Sequence, residues 1–163
     1  MGVRDEELNR LIRYAQGMGL SVRFKPFVRG GHSAEWDTNG PTITIFVKNK
    51  ESKIDTILSL IHEIGHMRSY IKDERQLDPK IEEALTSEED KKSYRKRIYN
   101  MEKADSLFWD DIYKDTDCKF DINKLYIQRE LDIHQYQVYY ETGKMPTLKE
   151  NKQKIKELKK KYK

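Results

Sequence analysis

Ser52-Lys53-Ile54-Asp55-Thr56-Ile57-Leu58-Ser59-Leu60-Ile61-His62-Glu63-Ile64-Gly65-His66 is the stretch on which the reading of this chain turns. Ile54, Ile57, Leu58, Ile61 and Ile64 recur at spacings of three and four, the period of an α-helix with a buried face, and Ser52 is placed to cap its start. The last five residues are an H-E-x-x-H motif. On a helix His62 and His66 stand at i and i+4 and project one above the other, so both imidazoles can reach a single ion. Glu63 falls one residue round from the first histidine, beside a metal-bound water instead of on the metal, which is the position of a general base. Zinc suits these residue types: it accepts neutral imidazole and, with three protein ligands, keeps a fourth position for a water whose pKa it lowers to about 7. The competing reading is a pair of structural histidines. Each would then need its own partner, because an unpaired buried polar group costs about 1–3 kcal/mol, whereas one shared ion satisfies both. Gly65 costs about 1 kcal/mol against alanine in mid-helix, so it predicts a close approach by a neighbouring element or a substrate.

Two histidines hold a catalytic zinc poorly, and a third protein ligand is expected from another element. A third histidine in the extended H-E-x-x-H-x-x-G-x-x-H arrangement is excluded, since Ser69 and Lys72 occupy the Gly and His positions. His32, in a Gly-rich loop, and His134, on a late helix, are the only other histidines. A carboxylate is the other choice, as in His₂Glu peptidases. Glu102 sits beside Met101 and Ala104 on a periodic segment after the motif and is the favoured third ligand, with Glu130, His134, Glu82 and Glu83 as rivals. Asp105, one turn on, is placed to hydrogen-bond the distal nitrogen of a ligand histidine.

Outward from the motif, Arg4 to Met18 reads as a helix with Leu8, Leu11, Ile12 and Ala15 on one stripe, stopped by Gly17 and Gly19. Leu20, Val22 and Phe24 then alternate with polar residues, as in a half-buried strand ended by Pro26 and Arg29-Gly30-Gly31. Ala34 to Asp37 is a second strand, turning at Asn39-Gly40-Pro41, and the β-branched Thr42–Val47 a third. One of the last two is expected to offer a sheet edge to which a peptide adds as a further strand. Beyond the motif helix, which is read to end near Ile71, Lys72 to Lys80 is a polar connection. Residues 81–85 are a short helix, 86–97 an exposed helical start or a mobile connection, and 98–113 and 122–140 two amphipathic helices.

Length and charge set limits. The 163 residues are enough for a single domain with appendages. Apolar residues (36%) are matched by charged ones (37%), which predicts a small core and a heavily charged surface. Residues 144–163 hold nine Lys and two Glu, a balance of +7 that leaves residues 1–143 at −3. The expected division is therefore 1–143 for the main domain and 144–163 for a basic tail or helix, with Leu148, Ile155, Leu158 and Tyr162 near one face. That tail is either a solvated helix or an electrostatic contact for nucleic acid, an acidic protein or a membrane surface. No apolar run approaches the roughly 20 residues that span a bilayer, and the charged Met1–Glu7 lacks a signal-peptide core. With Cys118 as the lone cysteine, no intrachain disulfide can form. A cytoplasmic protein is expected.

The N-terminal helix, small sheet, strand leading into the His62–His66 helix, and the later Glu102-Lys103-Ala104-Asp105-Ser106-Leu107-Phe108 segment together resemble the ImmA/IrrE-type zinc peptidases. These are gluzincin-like enzymes of bacteria, their mobile elements and phages. The resemblance spans about residues 4–112 and is specific only at the motif. In that family a glutamate on a helix with an E-x-x-A-N/D-x-F-A pattern completes the site. Here Ala104-Asp105 matches it, while Met101 stands where the pattern has Glu, Leu107 where it has Phe, and Phe108 where it has a small residue. The resemblance implies an α+β, zincin-like minimal scaffold: a small antiparallel or mixed sheet packed on the motif helix, followed by a helical C-terminal part. It also implies a zinc-dependent endopeptidase acting on an intracellular protein or peptide, with His62, His66 and Glu102 on Zn²⁺ and Glu63 as catalytic base. The alternative is a degenerate zincin that binds protein or nucleic acid through its charged surface.

Overall fold

Helical spacing gives way to alternation after Gly19, and there the backbone turns. Gly19 takes φ +83°, a left-handed conformation that glycine adopts without strain, and the N–H of Leu20 returns to the carbonyl of Ala15. The computed structural model describes residues 2–28, 34–37, 42–48, 51–73 and 80–163. It is a mixed α and β, mostly helical chain, in which α1 (Val3–Gly17) precedes β1 (Ser21–Pro26), β2 (Ala34–Asp37) and β3 (Thr42–Val47). Helices α2 (Lys53–Asp73), α3 (Lys80–Glu83), α4 (Glu88–Asp105), α5 (Trp109–Asp115), α6 (Ile122–Thr142) and α7 (Leu148–Lys161) follow. The chain divides into two compact units, residues 1–71 with 108–120, and residues 72–107 with 121–163. Residues 144–163 fall in the same unit as α6.

In the first unit the strand order is β1-β3-β2. Strand β2 runs antiparallel to β3, with Ala34 opposite Ile45 and Asp37 opposite Thr42. Strands β1 and β3 are parallel, Ser21 facing Thr42 and Pro26 facing Val47, so the sheet is mixed and not purely antiparallel. The reason lies in the route of the chain: β1 joins β3 only after the chain has passed through β2 on the far side. Strand β3 is therefore central, with Ile43, Thr44 and Ile45 all buried, as a strand covered on both faces requires. It offers no free edge. Strand addition, if it occurs on this sheet, is confined to β1 or β2. The expected turns at 29–31 and 39–41 lie outside the described residues.

Helix α2 buries Ile57, Leu58, Leu60, Ile61, Ile64 and Met67, and the Asp55 N–H bonds the Ser52 hydroxyl at 3.2 Å, so Ser52 caps the helix. Two polar contacts tie α2 to α1: Lys53 to Asp5 at 2.5 Å and the Arg68 guanidinium to the Tyr14 hydroxyl at 3.1 Å. The fully buried Glu7 on α1 accepts the backbone N–H groups of Lys119 (2.6 Å) and Phe120 (3.0 Å) and pairs with Arg4. Arg10 donates to the carbonyls of Thr116 (2.7 Å) and Asp117 (2.8 Å) and so satisfies the end of α5. Glu7→Ala orphans two N–H groups and is expected to lower unfolding free energy by about 2–6 kcal/mol in urea denaturation, at about 1–3 kcal/mol for each unsatisfied buried group. A loss under about 0.5 kcal/mol would show that the carboxylate is replaceable there.

In the second unit the charged 86–97 segment is ordered as the first half of α4. The Ser87 hydroxyl accepts the Asp90 N–H at 3.0 Å, and Glu88, Glu89 and Asp90 complement the positive helix end. The helix expected over 98–113 is interrupted by a 3₁₀ turn at Ser106–Phe108, where the Ser106 hydroxyl bonds the Lys103 carbonyl at 2.8 Å. Glu82 on α3 accepts from Arg95 of α4 at 2.7 Å and from the Tyr139 hydroxyl of α6, and Arg95 also donates to the Tyr140 carbonyl at 3.2 Å. Helix α6 is capped by Asp121 and ended by Gly143 at φ +79°. Helix α7 starts at the Thr147 cap, buries Leu158, and is held to α6 by Lys161–Glu130 (2.6 Å) and Asn123 to the Tyr162 carbonyl (3.1 Å).

Burial pushes the Glu82 carboxyl up, but the hydrogen bonds from Tyr139 and Arg95 and the guanidinium charge outweigh it, leaving its pKa lowered. A depressed carboxylate adds stability above its unfolded pKa, and that stability is lost as pH falls through the lower folded value. Glu82→Gln is expected to flatten the acid limb of a stability–pH curve below about pH 4.5. An unchanged limb would mean that the network contributes nothing to acid sensitivity.

Candidate metal centre

His62 and His66 leave α2 on one face, as their i, i+4 spacing requires. Their Nε2 atoms stand 2.9 Å apart, with ring centroids 4.7 Å apart and planes inclined at 69°. The same nitrogen of each ring therefore points toward a common place. The Trp109 ring lies against His62 at 5.5 Å and restricts that imidazole on one side. His66 is only 7% exposed and Glu63, on the same helix, also 7%. Met67, Ile64 and Ile61, fully or almost fully buried, make this stretch of α2 a low-dielectric neighbourhood.

On α4, Glu102 and Asp105 are 9% and 5% exposed, one turn apart on the stripe that also carries Tyr94, Arg95 and Ile98. His62, His66 and Glu102 form the one group of three or more such side chains, among the described residues, that could hold a metal ion. One donor atom from each lies within 4.8 Å of the others. The set of two imidazole nitrogens and one carboxylate oxygen suits a borderline divalent ion.

The rival ligands are engaged elsewhere. Glu82 is held by Arg95 and Tyr139, and Glu130 by Lys161. Glu83 is exposed on the short α3. His134 lies among Lys154, Glu157, Glu141 and Glu150 on the second unit's surface, and burial lowers its pKa. His32 lies outside the described residues. Cys118 is buried beside the Thr116 hydroxyl, and burial raises its pKa, as for an inert thiol.

Reading residues 86–97 as surface missed Tyr94 and Arg95, both buried. Two signals were present: Ser87-x-x-Asp90 has the form of a helix start, and 94, 98, 102 and 105 continue one stripe. That stripe also selects Glu102 over Met101, which is less buried. Among protein-family models, curated proteins and solved structures, none matches this chain. Among the described residues, no helix is long and apolar enough to cross a membrane.

Proposed function

We propose that this chain is a zinc-dependent endopeptidase of the ImmA/IrrE type, with a zincin-like scaffold, acting on a protein or peptide. The observation that carries this reading is the grouping of His62, His66 and Glu102, with Glu63 buried on the same helix as the two histidines. His62 and His66 would present Nε2, and Glu102 a carboxylate oxygen, as the ligands. Bound there, zinc would acidify water and polarise a substrate carbonyl. Glu63 falls one residue round the helix from His62, the position this motif gives to a base and not to a ligand. It takes the proton from the attacking water and delivers one to the leaving amine. Trp109 restricts His62 and keeps its nitrogen aimed. Zinc is preferred to iron, although two histidines and one carboxylate also suit non-haem Fe(II), because the adjacent buried Glu63 supplies the base that peptide hydrolysis needs and oxygen chemistry does not.

The test is cleavage of unfolded casein by zinc-loaded protein, with and without chelator. Time-dependent cleavage that chelator stops and zinc restores is expected. Stoichiometric zinc without cleavage of casein or of a peptide library would leave a metal-holding fold and remove the peptidase.

A further inference from the structure

We infer that the exposed side of α7 is a docking surface for the phosphate backbone of double-stranded nucleic acid. At 3.6 residues per turn, Lys149, Lys152, Lys156, Lys159 and Lys160 fall within about 100° of one another around the helix, over about 17 Å of its length. All five are exposed, and among the described residues none is in an ion pair. The lysines that do have carboxylate partners, Lys154 with Glu157 and Lys161 with Glu130, lie off this stripe. The helix has only two acids, Glu150 and Glu157, about 110–130° round the helix from the middle of the stripe, and they border a groove with His134 and Val138 of α6 that Lys149, Lys152 and Lys156 also line. The unbalanced charge is thus concentrated on a single rigid face.

The chemistry of that face selects the partner. The apolar residues of α7 are turned to α6: Leu158 is buried, and the Tyr162 ring packs against Tyr126 at 5.8 Å. Only Leu148 remains exposed, so no apolar face is left to enter a bilayer, as an interfacial helix requires. Nor does the stripe carry a Trp, Tyr or Arg of the kind that anchors protein interfaces. It has no aromatic platform on which unpaired bases could stack. What it offers is a row of ammonium point charges, which duplex phosphates match without any need for base contacts. Binding is therefore electrostatic and indifferent to sequence.

The full-length protein should be titrated into a fluorescent duplex of about 20 base pairs, with affinity followed by anisotropy across salt. Five lysine–phosphate contacts give a slope of log K against log salt of about −4.5, a several-hundred-fold loss between about 50 and 200 mM. Two unrelated duplex sequences should bind alike. The variant Lys152→Gln/Lys156→Gln/Lys159→Gln should bring the slope to about −2, whereas the charge-matched Lys96→Gln/Lys114→Gln/Lys124→Gln should leave it in place. Zinc content should be the same in both variants, which separates this surface from the metal centre. Absence of duplex binding at about 50 mM salt, equal losses in the two triple variants, or tighter binding to phosphatidylserine vesicles or polyglutamate would overturn the proposal.

Discussion

Glu63→Gln is expected to lower peptide cleavage by about 10²–10⁴-fold while leaving about one zinc per chain, the range that general acid–base catalysis contributes. Glutamine keeps the size of the side chain and its hydrogen-bonding reach, so the burial of this position changes little. What it removes is the ability to accept a proton at neutral pH and return it. The loss should fall on kcat and on kcat/KM alike, because the proton is in flight only in the transition state. Casein cleavage and zinc analysis on the same preparation separate the outcomes. Full cleavage by the variant would remove Glu63 from the mechanism, while loss of zinc together with cleavage would show that Glu63 holds the site instead of performing chemistry there.

The second large effect concerns Glu102→Ala. Removing one of three ligands leaves two imidazoles, too few to retain zinc against dilution. Zinc content should fall well below one per chain after dialysis, and cleavage should fall with it. The stabilisation that metal gives the folded state, about 2.7 kcal/mol when free metal is a hundred times its dissociation constant, should vanish, so that added zinc no longer raises Tm. Glu130→Ala and Glu82→Ala serve as controls, since their carboxylates are bound to Lys161 and to Arg95 and Tyr139. Both should keep zinc. Retention of zinc by Glu102→Ala would assign the third position to another residue.

The parts legible in the sequence are those whose cause is local. The α2 stripe, its Ser52 cap and the His62/His66 spacing are properties of one continuous segment, and the helix period alone places both imidazoles on one side. The helical setting of Glu102 is legible for the same reason, since it lies on an apolar-periodic segment. Features that depend on a distant partner were not. Nothing near Ser21–Pro26 states that its neighbour is β3 or that the pair is parallel. Glu7 reads as a surface charge on an acidic helix start until Lys119 and Phe120, more than a hundred residues on, supply its donors. Arg95 likewise becomes interior only through Glu82 and the Tyr140 carbonyl. The break at Ser106 depends on a side chain taking a main-chain carbonyl, which apolar periodicity does not register.

The most direct test of the metal centre is elemental analysis of protein purified without chelator, combined with X-ray absorption at the zinc edge. A His62/His66/Glu102 site requires about one zinc per chain and a shell of nitrogen and oxygen at about 2.0–2.1 Å with imidazole scattering and no sulfur. Stoichiometric iron, a sulfur ligand near about 2.3 Å, or less than about a tenth of a zinc per chain after zinc has been supplied would contradict it.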